Sequence, residues 1–205
     1  MSTNRGRLAA FLGMAPHALA EAEQVHGRCA AVVASAGAPI RGVDALVTNR
    51  AGLWLAIYAA DCVPVLLVDG KTPGVAAVHA GWRGTAAGIV PETIARMHNA
   101  FGTDAEQCTV MLGPAIGGCC YEVDLPVARA MDQAPWWPEA ARATGPNRWH
   151  LDLRTAIRRQ LMDAGVPAGR IASVPLCTAC RPDLFFSYRR DGITGRMAAC
   201  ISLLG

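Results

Sequence analysis

Apolar residues at Leu8, Phe11, Leu12, Ala15 and Leu19 fall at helical spacing and predict a helix near the start of the chain. The pattern then switches to short β-type runs at 29–34, 43–48, 53–59, 63–69 and 75–79. Runs 43–48 and 63–69 are dense in Val and Leu with little alternation, as expected of strands covered on both faces. The glycine-rich turn 81–84 leads into a helix whose buried side carries Ile89, Ile94, Met97 and Phe101; Pro91 should kink it or mark its effective start. A strand follows at 109–112, then helices at 124–133 and 152–164, the second opened by Asp152 and stopped by Gly165. Strands near 171–174, 184–188 and 197–203 close the chain. Short strands mixed with about four helices, with no repeat, linker or charge block between them, predict an α+β fold, a single mixed-β-sheet domain over 1–205 with its helices outside.

Composition narrows the class. The chain is 52% hydrophobic and 17% charged, which excludes intrinsic disorder. Its longest apolar run, 53–69, is interrupted by Asp61 and falls short of a membrane span, so no membrane partner is expected. A net charge of +3 is too mild for a nucleic-acid binder. All basic residues but Lys71 are arginine, which fits a GC-rich coding bias. Arg5 and Arg7 before 8–15, with Ala18-Leu19-Ala20 beyond, resemble a signal peptide, but Pro16 and His17 break that run. The eight cysteines, with Cys119 and Cys120 adjacent, read as cytosolic thiols, some of them metal ligands. A cytoplasmic location is therefore expected.

Three residues fall at element ends, where function concentrates. His26 lies in Gln24-Val25-His26-Gly27, Cys62 in Ala60-Asp61-Cys62-Val63-Pro64, and His79 in Val78-His79-Ala80-Gly81-Trp82-Arg83-Gly84. Two imidazoles and a thiolate suit zinc, and three protein ligands leave a fourth position open. Their spacing matches no short zinc motif, and each alone reads first as a buried structural residue. Cys177 and Cys180 form a C-x-x-C without a second such pair to complete a structural zinc site, and the following Arg181-Pro182-Asp183 reads as loop rather than a redox helix. Cys119 and Cys120 follow Gly117-Gly118, a loop able to approach a ligand closely. Arg83, in a turn opening a helix, is a candidate anion contact, with an ordinary surface arginine as the alternative. Ser187-Tyr188-Arg189-Arg190 is read as a strand end from which one arginine reaches a pocket. Glu122 is a candidate acid, base or hydroxyl acceptor, or else a solvated loop carboxylate.

Taken in order, Gln-Val-His-Gly, Ala-Asp-Cys-Val-Pro-Val-Leu-Leu, Ala-Val-His-Ala-Gly-Trp-Arg-Gly-Thr, Gly-Pro-Ala-Ile-Gly-Gly-Cys-Cys-Tyr-Glu-Val and Phe-Phe-Ser-Tyr-Arg-Arg-Asp-Gly-Ile-Thr-Gly-Arg are specific. The chain closely resembles the laccase-domain, YfiH/YlmD-like family, also called the multicopper polyphenol oxidase family, from about Asn4 to its end. The resemblance implies a mixed α/β sandwich with a zinc site at His26, Cys62 and His79. It also implies phosphorolysis of adenosine, inosine and methylthioadenosine to free base and ribose 1-phosphate, with zinc-dependent adenosine deamination. Older descriptions of the family invoke a copper laccase, and fold classification has treated its Cys–His pair as that of a cysteine hydrolase. Five histidines are too few for a multicopper cluster, so zinc is preferred to copper.

On that reading Arg83 and Arg189 anchor phosphate, Gln24 contacts substrate, and Asp61 or Glu122 handles the proton. The competing readings are a hydrolase with Cys62 as nucleophile and His79 as base, acting as an amidase on peptidoglycan precursors, and a non-catalytic metal-binding protein. Partners are the small molecules alone, with the chain a monomer or homodimer. The family pattern also carries an N-terminal segment ahead of this sequence and Gly-Pro-Cys-Cys where this chain has Gly-Gly-Cys-Cys.

Overall fold

The computed structural model describes residues 2–204. Among the described residues thirteen strands run in chain order as β1 (Leu19–Glu23), β2 (Ala30–Val32), β3 (Ile40–Arg41), β4 (Ala45–Thr48), β5 (Trp54–Ala59), β6 (Val63–Asp69), β7 (Gly74–Ala80), β8 (Cys108–Leu112), β9 (Glu122–Asp124), β10 (Ala141–Gly145), β11 (Arg148–Leu151), β12 (Ile171–Ser173) and β13 (Met197–Ser202). The helices are α1 (Ser2–Leu12), α2 (Trp82–Ala87), α3 (Ile89–Phe101), α4 (Leu125–Arg129), α5 (Trp137–Ala140), α6 (Leu153–Asp163) and α7 (Tyr188–Asp191). The strands form two mixed sheets, ordered β13-β5-β1-β3 and β12-β8-β6-β7-β4-β2, and one antiparallel sheet, ordered β10-β11-β9.

The six-stranded sheet is the central layer. Every residue of β7 is buried, because alternate side chains feed two cores. Val75 and Ala77 join Leu46, Leu55 and Ile57 between this sheet and the four-stranded one. Ala76, Val78 and Ala80 join Val65, Leu67, Ile89, Met97 and Ile157 beneath α3 and α6. A one-residue slip of β7 would exchange the two cores, so its register against β6, Val65 opposite Val78, is strongly fixed. These two layers and the flanking helices make the mixed-sheet α+β domain expected from the pattern, arranged as the sandwich that the resemblance implies.

Several elements differ from the pattern in informative ways. Helix α1 ends at Leu12, and Leu19 begins β1, which pairs in parallel with β5 and β3. The run Leu-Ala-Glu-Ala-Glu has weak β propensity and is a strand only because its neighbours supply a ladder. The helix entered at Gly81 is broken at Gly88, which adopts φ +80° as both the end of α2 and the start of α3; Pro91 sits in the first turn of α3, where its missing N–H costs nothing. Segment 184–188 is not a strand. Leu184 and Phe185 donate backbone bonds to the Arg181 carbonyl, and Ser187 caps the short helix α7 through its Oγ, which accepts from the Arg190 N–H at 3.2 Å. Helix α6 keeps its expected bounds, with Asp152 Oδ1 accepting from the Arg154 N–H at 3.0 Å. No helix among the described residues is long and apolar enough to cross a membrane.

Candidate metal centre and anion cavity

The β1–β2 connection carries His26, the β5–β6 turn carries Cys62, and β7 delivers His79 at its end. One ligand atom from each lies within 4.8 Å of the others, although 36 and 17 residues separate them along the chain. The rings of His26 and His79 meet edge to face, 4.8 Å between centroids.

Asp44, which has no local motif to mark it, organises this cluster. It stands just before β4, fully buried. Its Oδ1 accepts from His79 Nδ1 at 2.8 Å and from the His26 N–H at 2.9 Å; its Oδ2 accepts from the N–H groups of Gly27 at 2.7 Å and Val25 at 3.2 Å. A carboxylate that only accepts places the proton of neutral His79 on Nδ1 and leaves Nε2 free to ligate a metal. The same contacts hold His26 at φ +62°, a left-handed conformation that costs a non-glycine residue on the order of 1–3 kcal/mol. The only sequence signal for Asp44 is a lone carboxylate at the mouth of an apolar strand, a charge that must find partners once buried.

Electrostatics within the cluster are mutual. Burial pushes the Cys62 thiol up, but hydrogen bonds and charge from His26 and His79 bring it down to about 7. Burial pulls His79 down, yet Asp44 and the Cys62 sulfur raise it to about 9. Asp44 is held below the usual carboxylate range despite its burial, by His79 and the backbone donors. The metal-free cluster is therefore a thiolate–imidazolium pair near neutral pH. Gly81 completes it by leaving room: a Cβ there would stand 2.9 Å from Cys62 Sγ and 3.2 Å from His26 Cδ2. A His/His/Cys set with an oriented second ring nitrogen, a low-pKa thiol and a cleared approach fits a zinc-class ion with one open position.

The open side faces a cavity of about 690 Å³, within the usual size of ligand sites. Three arginines line it, each over an aromatic ring: Arg83 over Trp82 at 4.4 Å, Arg189 over Tyr121 at 4.9 Å and Arg196 over Tyr188 at 5.9 Å. Among the described residues none of the three pairs with a carboxylate; the ion pairs use different arginines. Arg189 Nη1 instead donates to the Glu122 carbonyl at 2.6 Å, and Arg196 Nη1 to the carbonyls of Thr194 and Gly195. Unneutralised guanidiniums around a concavity attract an anion.

The cavity gathers His26, Cys62, His79, Asp61, Gln24, Arg83 and Arg189 from the sequence candidates, but not Glu122. The Glu122 carboxylate is exposed and faces Arg148 at 3.3 Å, so only its main chain serves the site. The Gln24 side chain is occupied: its amide donates to the Tyr58 carbonyl and accepts from the Tyr58 N–H, both at 2.7 Å. Asp61 is likewise engaged, accepting from Thr178 Oγ1 and the Arg189 N–H, both at 2.6 Å. Those bonds hold Asp61 at φ +96° and so aim the next residue, Cys62, at the metal position. Tyr58, Tyr121 and Arg196 also line the cavity; Tyr121 and Arg196 stand in two of the family motifs without a role assigned to them, and Tyr58 lies in an apolar run with nothing to mark it. Burial and the adjacent Glu21 carboxylate push the Tyr58 phenol up to about 12.

Comparison with known proteins follows the same lines. A family described as multi-copper polyphenol oxidoreductase laccase matches residues 1–204. A purine nucleoside phosphorylase of Corynebacterium glutamicum is 40% identical over 206 residues, covering 99% of this chain and 81% of that protein. The solved structure of YlmD from Geobacillus stearothermophilus superposes with a TM-score of 0.96 at 39% identity, over 100% of this chain and 80% of that one. YfiH of Bacillus licheniformis gives 0.95 at 34% identity, over 98% and 80%. The curated relative from G. stearothermophilus carries the name purine nucleoside phosphorylase YlmD. On sequence and structure together, the chain belongs to the multi-copper polyphenol oxidoreductase laccase family, in its YfiH/YlmD-like form.

Proposed function

We propose that the chain is a zinc-dependent purine nucleoside phosphorylase, converting adenosine, inosine or methylthioadenosine and phosphate into free base and a pentose 1-phosphate. The observation that carries this reading is the pairing of an anion-attracting ring of Arg83, Arg189 and Arg196 with a three-ligand metal position in one cavity. The names borne by relatives at about 40% identity supply the substrate class.

In this reading an oxygen of hydrogen phosphate attacks C1′ as the C1′–N9 bond breaks; the bonding electrons leave with the base, which takes up the proton that the phosphate gives up. Zinc, when bound by His26, Cys62 and His79, supplies Lewis-acid polarisation of an oxygen in the cavity. Arg83 and Arg189 hold phosphate; their stacking on Trp82 and Tyr121 limits the freedom lost on binding. Asp61 acts as a positioning residue that ties Cys62 to Arg189, since both its oxygens are already bonded. The same open position suits hydrolytic deamination of adenosine, which we assign as the second activity.

A copper laccase is less well supported. Of five histidines only His26 and His79 reach the site; His98 is tied to the Thr103 carbonyl and His150 lies on β11. An amidase with free Cys62 as nucleophile would leave the arginine ring without a purpose.

Base release from inosine should require phosphate and saturate with it. Arg83→Ala removes one charge-assisted contact, so the KM for phosphate should rise roughly 10- to 100-fold, while conversion of adenosine to inosine is spared. Base release at the same rate without phosphate would refute phosphorolysis.

A further inference from the structure

Beside Tyr121 and Thr178 four sulfurs converge. Cys119 and Cys120 lie in the loop after β8, and Cys177 and Cys180 in the turn after β12. The adjacent cysteines are thus the second pair that the C-x-x-C lacks in the sequence, supplied from about sixty residues away. All four Sγ atoms lie within 4.8 Å of one another, with Cys119 to Cys180 at 3.7 Å and Cys120 to Cys180 at 3.3 Å. A tetrahedral ion with metal–sulfur bonds of about 2.3 Å has sulfur–sulfur edges of roughly 3.8 Å. The observed spacing is close to that edge.

Neither core packing nor disulfide bonding accounts for the cluster as well. Thiols used as small core hydrophobes should be buried, but Cys119 and Cys180 are exposed and Cys120 is half-exposed. Two disulfides would need a pairwise arrangement, whereas Cys180 stands near both Cys119 and Cys120.

The surrounding main chain is arranged for sulfur ligands. Ala115 and Cys177 form an isolated parallel bridge that fixes one loop on the other. The Gly117 N–H donates to Cys177 Sγ at 3.3 Å, the kind of outer contact that orients a ligating thiolate. The Cys120 N–H donates to the Gly117 carbonyl at 2.9 Å, folding the adjacent pair back toward Cys177. Arg190 Nη1 donates to the carbonyls of Thr178 and Ala179, between Cys177 and Cys180, and so pins the C-x-x-C turn.

We propose that Cys119, Cys120, Cys177 and Cys180 form a second metal centre, a closed four-thiolate site for zinc that clips the two loops together. Four protein ligands leave no position for substrate, so its role is structural. What it positions is specific: Tyr121 directly follows Cys120 and carries Arg189 over its ring, and Thr178 directly follows Cys177 and holds Asp61. The clip therefore sets the part of the cavity wall that Tyr121 and Arg189 form. This inference does not depend on the activity assigned to the cavity.

Zinc content and cysteine accessibility test it on the whole chain purified under reducing conditions. The wild type should hold one more zinc equivalent than Cys119→Ser/Cys180→Ser, whatever the occupancy of the His26–Cys62–His79 site. Iodoacetamide mapping of the unaltered wild type removes any dependence on whether the variant folds. Cys119, Cys120, Cys177 and Cys180 should be protected in the zinc-loaded chain and all four should be alkylated after chelator treatment without added reductant. Cobalt replacement gives a third reading: thiolate-to-cobalt charge-transfer absorption should fall to about one fifth in the double variant, from five thiolates to the one at Cys62. Equal zinc content in wild type and variant would overturn the proposal. So would alkylation of the four cysteines at full zinc load, or alkylation that needs a reductant rather than a chelator.

Discussion

Asp44→Asn is the sharpest perturbation of the metal centre, because it changes one oxygen to an amide without changing volume. The native carboxylate accepts from four donors, two at each oxygen. Asparagine has one acceptor oxygen and one NH2, so one pair of donors must lose its acceptor. If the amide nitrogen faces Gly27 and Val25, donor meets donor and the loop holding His26 at φ +62° is released. If it faces His79, it donates to Nδ1, the ring proton moves to Nε2, and the lone pair meant for the metal is lost. Either orientation removes a contact that typically changes metal affinity 10- to 100-fold, about 1.4–2.7 kcal/mol. Because His79 is only 3% exposed, water cannot easily replace the lost bond, so stability should fall by about 1–3 kcal/mol as well. A competition titration of zinc against a chelator, beside a thermal melt of the zinc-free protein, separates the two effects. Wild-type zinc affinity in a correctly folded Asp44→Asn chain would refute the role given to Asp44.

Three further outcomes follow from the same geometry. Gly81→Ala should leave the fold intact, since Gly81 sits at φ −81° and ψ 174° where alanine is unstrained, yet its Cβ collides with Cys62 Sγ; unchanged melting with zinc binding weakened and turnover reduced about 10²-fold is expected, measured by zinc content and rate together. Thr178→Val removes the Oγ1 donor from buried Asp61 and should lower the melting temperature by several degrees, at about 2–4 °C per kcal/mol for a chain of this size and a loss of about 1–3 kcal/mol. Zinc affinity should depend on pH with a defined slope: binding displaces protons from both Cys62 and His79 below about pH 7, from His79 alone up to about pH 9, and from neither above that. Between about pH 8 and about pH 6 the apparent affinity should then drop roughly a thousandfold after correction for the chelator, and a flat profile would contradict the thiolate–imidazolium pair.

Much of the fold was legible because it rests on periodicity. Strand β6 spans Val63–Asp69 as the unbroken apolar run required, and α6 begins and ends at its caps. What the pattern hid was held by partners rather than by propensity. Strand β1 is alanine-rich and depends on β5, while Ser187 and Asp61 turn an aromatic segment into the start of α7. The candidate metal ligands lie too far apart along the chain to be joined by spacing, so their place at element ends and their donor chemistry linked them weakly and the family resemblance made the assignment. Asp44 escaped for the same reason: it is defined by contacts across loops and has no local signature. The four-cysteine cluster showed its halves, the C-x-x-C and the adjacent Cys119 and Cys120, but not that the fold joins them. Gln24 and Glu122 show the converse, polar side chains that sit near the site but spend their groups on the Tyr58 backbone and on Arg148.

The most direct test is product chromatography after incubating the zinc-loaded chain with adenosine and phosphate, beside the zinc-free chain and Cys62→Ser. Adenine and hypoxanthine together equal in amount to ribose 1-phosphate, formed by the zinc-loaded wild type and lost in both controls, is the expected result. Adenine formed equally by all three, or zinc bound stoichiometrically with no nucleoside consumed, would contradict the account.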